Sequence, residues 1–296
     1  MLKPITFILV CILMCNLLMG QPFSKKDYNK DNNSLLWEIS GKDINQPSYL
    51  FGTFHLMCKE DIQFSENLLK AFKYSSSLYL EIDLDDPTNT FSALKYMYMK
   101  DGVTLRKLYD SLQYNKIQKF FSDSLHMSMA MVEKMKPAFS SSLVYPFMMT
   151  CKTVDGVEME LIQKSKEEQK ETYGFETVEF QSSVFDNIPY NEQAEELYNM
   201  IDSIDTYKIK FYKMLSLYQS QELNVIEKSF DDEPGFEEQK DLLLTNRNKN
   251  WVSQLKSILP QTNIFIAVGA GHLAGEKGLI QLLKNEGYTL KPVYNK

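Results

Sequence analysis

The sequence predicts an α/β protein with a central mixed, largely parallel sheet, flanking helices and a helical middle segment. Three observations carry this. Short apolar runs bounded by turn residues lie towards both ends of the chain, at Leu35–Ser40, Ser48–Thr53, Ser77–Asp83, Ile264–Val268 and Thr289–Tyr294, and read as strands. A helix-spaced segment, Ser65–Tyr74, separates the second run from the third, so strand, helix and strand form a βαβ unit whose two strands should be parallel. Most of the chain between these strand-bearing ends carries apolar residues at helical spacing.

Each element has its own signal. Gly41–Pro47 joins the first two strands with turn chemistry. Ser65 is an N-cap, with Leu68, Leu69 and Phe72 on one face behind it. Leu105–Leu125, Ser140–Thr150 and Gly156–Lys170 read as helices, and Thr172–Phe180 as a further strand. Gln193–Phe230 is a long amphipathic stretch of one or two helices, and Asp231–Gly235 is a turn. Phe236–Leu259 is helical up to Pro260. Leu279–Asn285 is a helix closed by Gly287 at the C′ position. Met127, Met129, Met131 and Met135 are expected to pack, as adaptable thioethers do.

Lys3 followed by the apolar run Ile5–Met19 reads as a signal peptide over residues 1–20, with a polar leader at 21–34. Leu18 at the −3 position is not small, so an uncleaved N-terminal anchor is the competing reading and the one route to a membrane. Met14 before Cys15 does not suit lipidation. The expected location is therefore outside the cytoplasm. Cys58 and Cys151 remain in the exported chain, and both a disulfide and two free thiols are open. With 296 residues, 44% of them hydrophobic, the chain can bury a full core. A net charge of −7 argues against a nucleic-acid partner.

The chemistry gathers at histidines. Of three, two share one setting: Tyr49-Leu50-Phe51-Gly52-Thr53-Phe54-His55 and Ile264-Phe265-Ile266-Ala267-Val268-Gly269-Ala270-Gly271-His272 are each an apolar strand running into G-x-x-H. Glycine permits a close turn, and the histidine is delivered past the strand's carboxyl end, where ligands bind in open α/β sheets. Glu81, in Leu78-Tyr79-Leu80-Glu81-Ile82-Asp83, is a charge inside an apolar strand, costly unless paired, protonated or bound to metal. Two imidazoles and a carboxylate make a divalent-metal site with open positions for water. His126 lacks this context and reads as surface or packing. Among 32 basic residues only Arg106 and Arg247 are arginines. The rigid fork of Arg247 suits a carboxylate or a developing oxyanion, or else a surface ion pair.

These pieces, with Leu36-Trp37-Glu38-Ile39, Gly156-Val157-Glu158, Phe175-Glu176-Thr177, Arg247-Asn248-x-x-Trp251 and the continuation Leu273-x-Gly275-x-x-Gly278-Leu279, resemble the TraB/GumN family, which includes the Tiki metalloproteases. The resemblance implies one α/β domain over 35–296 with a helical insertion at about 90–250, related to erythromycin-esterase-like and haem-linked ChaN-like proteins. It implies a site of His55, His272, Glu81, Glu176 and Arg247. Glu176 stands near Glu171 and Glu179, so a surface role is open for it too. Phe54 and Gly271, just before the histidines, depart from the pattern, so the substrate does not carry over.

Two functions follow. The first is an exported metal-dependent hydrolase cleaving peptide or ester bonds. In it His55, His272 and Glu81 hold a divalent ion (Zn, Mn or Co), while Arg247 and Glu176 steady the intermediate or shuttle a proton, and the substrate is a peptide or small molecule. The alternative is a haem or metal-complex binding protein without turnover, with a scaffold role weaker still.

Overall fold

The computed structural model describes residues 33–86, 88, 95–231 and 240–296. The expected signal peptide and nearly all of the polar leader lie outside them, as does most of the Asp231–Gly235 turn.

Eight strands form: β1 (Leu36–Ser40), β2 (Ser48–Thr53), β3 (Met57–Cys58), β4 (Ser77–Ile82), β5 (Val154–Asp155), β6 (Thr172–Glu176), β7 (Ile264–Gly269) and β8 (Thr289–Val293). Six build the main sheet in the order β6-β4-β7-β2-β1-β8, and β3 pairs with β5 separately. The neighbours β6, β4, β7 and β2 are mutually parallel, while β1 is antiparallel to both β2 and β8. The sheet is thus mixed and largely parallel, an α/β fold. The two strands of the βαβ unit are parallel as expected, but β7, from the far end of the chain, lies between them.

β2, β4 and β7 are almost wholly buried, which accounts for unbroken apolar runs in place of alternation. The core gathers Leu50, Leu78, Leu80, Phe265 and Ile266 of the sheet with Leu68 and Phe72 of the helix Glu66–Tyr74, Leu161 of Val157–Glu167, Trp251 and Leu255 of Asn246–Ile258, and Leu283 of Leu279–Asn285. Ser65 caps its helix, accepting from the Leu68 amide at 3.1 Å. A second cluster, including Leu105, Ile117, Phe121, Val132 and Leu197, joins the helices of the middle segment. Met129 is buried in it with Met127 and Met135 packed alongside, whereas Met131 is 60% exposed.

Several boundaries differ from expectation. Thr172–Phe180 is not one strand: β6 stops at Glu176, and Thr177 caps a new helix, Val178–Asp186, by accepting from the Phe180 amide at 3.1 Å. Leu105–Leu125 breaks after Leu108, and Asp110 opens a fresh helix with a capping box. Gln193–Phe230 is three helices, Tyr190–Asp202, Ile204–Ser220 and Leu223–Asp231. The second of them ends at Gln221, which takes φ +62° where glycine would be the ordinary choice. Ser34 belongs to the fold and not to the leader, since it is buried and its hydroxyl donates to Val293 O at 2.5 Å.

Candidate functional site

The four parallel strands deliver the site from one edge. His55 follows β2, Glu81 stands near the end of β4, Glu176 ends β6, and His272 lies just past β7. In the β2–β7 register Thr53 faces Gly269, so the two G-x-x-H segments leave adjacent strands at the same level. Arg247 comes from the first turn of the helix Asn246–Ile258. All five expected residues therefore come to one edge of the sheet. His126 is exposed at φ +53° and takes no part.

Gly269 is the hub. A Cβ at this position would lie 3.3 Å from Glu81 Oε1, 3.4 Å from His55 Nε2 and 3.7 Å from His272 Cδ2, so a side chain would occupy the space onto which these groups converge. The Gly269 amide donates to Glu81 Oε1 at 2.8 Å. Gly52 is needed for close packing: a Cβ there would meet Leu273, Leu35 and the Ala270 backbone at 3.0–3.1 Å.

Each imidazole is oriented from behind. His272 Nδ1 lies 2.7 Å from Asn248 Oδ1, which makes Nδ1 the protonated nitrogen and leaves the Nε2 lone pair to face the site. Asn248 is itself fixed by donating to Lys277 O at 2.9 Å. The His272 ring packs on Trp251 with centroids 4.5 Å apart. His55 Nδ1 lies 2.7 Å from Glu158 Oε1, and the Thr53 hydroxyl donates to the same oxygen. The two histidines differ in exposure: His272 is buried, while the His55 side chain is 69% exposed.

Arg247 is a buried clamp. Nε donates to both oxygens of Glu176 at 3.0 and 3.1 Å. Nη2 donates to Glu81 Oε2 at 2.6 Å and to Glu176 Oε2 at 2.9 Å, and Nη1 donates to Leu243 O at 3.0 Å. Nη1 also donates to His272 Nε2 at 3.3 Å, so in this structure the lone pair offered to the site is shared with Arg247. Trp251 Nε1 donates to Glu176 Oε1 at 2.9 Å, and Gln181 Nε2 to Glu81 Oε2 at 3.1 Å. Glu176 is therefore no surface residue, and Arg247 no surface ion pair.

The electrostatics sort these groups. Burial, reinforced by Arg247, outweighs Glu81 and lowers His272 to about 4, so its imidazole is neutral at pH 7. The protein crowded around the His55 ring opposes its cation although the side chain opens to solvent, but the charge and hydrogen bond of Glu158, aided by Glu81, prevail and raise it to about 9. Burial would raise Glu81, yet the imidazoles, Arg247 and the Gly269 amide together lower it to about 2. Burial raises Glu176 against the pull of Arg247. A cleft of about 250 Å3 opens here, with Leu80, Ile82, Leu84 and Met159 on its apolar side and His55, Glu81, Glu158 and Gln181 on its polar side.

His272 Nε2 and Glu81 Oε1 are 3.8 Å apart, close to the separation of about 3.3 Å that two ligands of one tetrahedral zinc ion would have. His55 stands further out. Among the described residues, the one group of three or more His, Cys, Asp or Glu whose ligand atoms all lie within 4.8 Å of one another is Cys58, Glu60 and Cys151, and there the two sulfurs are joined as a disulfide. Glu158, Asn248, Trp251 and Gln181 are the site residues that sequence reasoning did not single out. The first three lay inside quoted motif pieces, which was the available signal.

A family model matches residues 35–292, nearly the whole described chain. The chain belongs to the TraB/PrgY/gumN family. Similar members include a protein named Metalloprotease TIKI2 from Danio rerio, 21% identical, with 88% of this chain and 61% of that one covered. Another is Metalloprotease TIKI1 from Homo sapiens, 24% identical, with 90% and 63% covered. A third is Uncharacterized protein YbaP from Escherichia coli K12, 24% identical, with 81% and 89% covered. The chain thus spans about three-fifths of the length of its TIKI relatives. No solved structure matches. Among the described residues, no helix of this TraB/PrgY/gumN member is long and apolar enough to cross a membrane.

Proposed function

We propose that the chain is an exported, metal-dependent hydrolase of peptide or ester bonds, in which His55, His272 and Glu81 hold a divalent ion. One observation carries the reading. Two imidazoles, each held at Nδ1 by an oxygen of Asn248 or Glu158, converge with an ionised carboxylate on a glycine that keeps their common space free. Oxygen partners behind ligating histidines are the usual support of metal sites, fixing tautomer and ring orientation. The donor set suits Zn, Mn or Co. The relatives named metalloproteases support the same chemistry.

When bound, the metal supplies a water of lowered pKa and polarises the scissile carbonyl. The residues around it do the rest. Arg247 and Glu176 act as positioning residues, because each nitrogen of the guanidinium is engaged within the protein and both Glu176 oxygens are taken by Arg247 and Trp251. Their work is to hold Glu81 in place and ionised. Glu158 lines the cleft and holds the His55 ring through Nδ1 while accepting from the Thr53 hydroxyl, so it too is a positioning residue. The Cys58–Cys151 disulfide supports export, since such bonds persist in oxidising compartments.

Metal analysis of purified protein, its visible spectrum, and the variants His55→Ala and His272→Ala form the test. Zn, Mn or Co without a Soret band is expected, with metal lost from both variants while melting temperatures stay near wild type. A Soret band would instead support the haem reading, and wild-type metal content in His272→Ala would overturn the metal site.

A further inference from the structure

The Cys58–Cys151 disulfide stands where the two segments carrying His55 and Glu158 meet. His55 lies three positions before Cys58, and Glu158 seven positions after Cys151. These segments are far apart in sequence, the disulfide alone spanning 93 positions. What joins them is a ribbon of two residues a side, Met57 against Asp155 and Cys58 against Val154. A few further bonds flank it. The Lys59 amide donates to Thr153 O at 3.0 Å, the Val157 amide donates to Phe54 O at 3.1 Å, and Lys59 Nζ meets Asp155 at 3.3 Å and Glu160 at 2.6 Å. Gly156 packs so closely on the His55 carbonyl that a Cβ would lie 2.7 Å from it. A two-residue ribbon is far below the length at which paired strands hold themselves together in water. The covalent bond across it supplies the constraint that the hydrogen bonds alone do not.

We propose that the Cys58–Cys151 disulfide is a positioning clamp for the His55–Glu158 pair, so that the site is assembled when the disulfide is formed and loosened when it is reduced. This rests on the reading of His55 as a metal ligand only for its effect on metal, not for its effect on the ribbon. The chemistry is thiol–disulfide exchange with a dithiol reductant. The S–S bond breaks, two electrons and two protons pass to give the Cys58 and Cys151 thiols, and the reductant leaves as its own disulfide. Cys151 is half-buried and precedes exposed Lys152 and Thr153, which gives a small dithiol its entry, whereas Cys58 is buried. Loss of an orienting group behind a metal ligand costs metal affinity by about ten- to a hundredfold, and the same scale applies if His55 is released from Glu158.

The test compares oxidised wild type, wild type treated with dithiothreitol, and the Cys58→Ser/Cys151→Ser double variant. Amide hydrogen exchange is read on all three, and affinity for added Co2+ on oxidised wild type and the double variant alone, because free thiols beside Glu60 and dithiothreitol itself bind Co2+. The expected result is exchange at the Lys59 and Val157 amides at least tenfold faster without the disulfide, with β7 amides unchanged and Co2+ bound at least tenfold more weakly by the double variant. Unchanged protection at Lys59 and Val157 would overturn the clamp. So would a uniform acceleration across the sheet, which is what a merely stabilising disulfide produces. If the double variant does not fold, dithiothreitol titration of the native protein decides by the same amides. If oxidised wild type binds no Co2+, the metal reading fails, and the exchange measurement still judges the clamp.

Discussion

Gly269→Ala separates the metal cradle from the fold. The new methyl carbon would lie 3.3 Å from Glu81 Oε1, 3.4 Å from His55 Nε2 and 3.7 Å from His272 Cδ2. An ion held by His55, His272 and Glu81 would need the space between them, into which the methyl would project. The backbone at Gly269 is φ −49°, ψ 135°, which alanine accepts. The change therefore gains about 0.4–1 kcal/mol by restricting the unfolded chain and loses a similar amount to the two contacts near 3.3 Å. Folding stability should stay within about 1 kcal/mol of wild type, while metal affinity should fall about a hundredfold or more, equivalent to about 3 kcal/mol. Calorimetric titration with Zn2+ or Co2+, beside a thermal melt, reads both quantities. A variant that binds the ion as tightly as wild type would refute the assignment of this space to metal. A variant that unfolds would show that Gly269 serves packing first.

Three further outcomes follow from the same contacts. Asn248→Leu should weaken metal binding about ten- to a hundredfold by releasing the His272 tautomer, and titration calorimetry against wild type checks it. Arg247→Ala should lower the stability of the metal-free protein by about 3–5 kcal/mol, because it leaves Glu81 and Glu176 buried without their cation; urea unfolding measures this, and a loss under 1 kcal/mol would contradict the buried clamp. The third concerns acid. His272 is lowered from 6.5 to about 4, so the unfolded chain binds its proton first, and the stability of the metal-free protein should fall by about 3 kcal/mol between pH 6.5 and 4. Glu81, lowered from 4.5 to about 2, continues the loss below pH 4.5. Unfolding curves across this range should lose their His272 component in His272→Leu.

What sequence reveals here, and what it hides, divides along physical lines. β2, β4 and β7 were legible because strands buried on both faces must be continuously apolar. His55, His272 and Glu81 were legible because each breaks such a run at the same end. The insertion of β7 between β2 and β4 was not legible, since hydrophobicity says which segments are buried but not which neighbour each one takes. Thr172–Phe180 misled because Phe175, Val178 and Phe180 are apolar throughout, and the decisive signal was the hydroxyl of Thr177 closing one element and capping the next. Glu158 escaped notice because it sits among several glutamates on a polar helix, and its meaning depends on His55, 103 positions away, with which it pairs while accepting from the Thr53 hydroxyl. Asn248 looked like an ordinary polar neighbour of Arg247 until the fold brought His272 against it.

The contrast between the two histidines leads to one more measurement. His272, lowered to about 4, has no proton to lose at pH 7, whereas His55, raised to about 9, holds one. If both coordinate the same ion, the one proton displaced at pH 7 comes from His55, because metal takes the lone pair the proton occupies. Apparent affinity should then rise about tenfold for each pH unit from 7 towards 9 and level off above, the direction required when the competing proton is lost as pH rises. Titration calorimetry in buffers of different ionisation heat counts the protons directly. About one per ion is expected at pH 7, and near zero at pH 10. Glu158→Gln sharpens the case: it removes the charge that opposes burial at His55, so the variant should release fewer protons at pH 7 and show a flatter pH dependence. Metal binding that releases no proton at pH 7 in wild type would mean that His55 is not among the ligands, and the ion would have to be held by His272 and Glu81 without it.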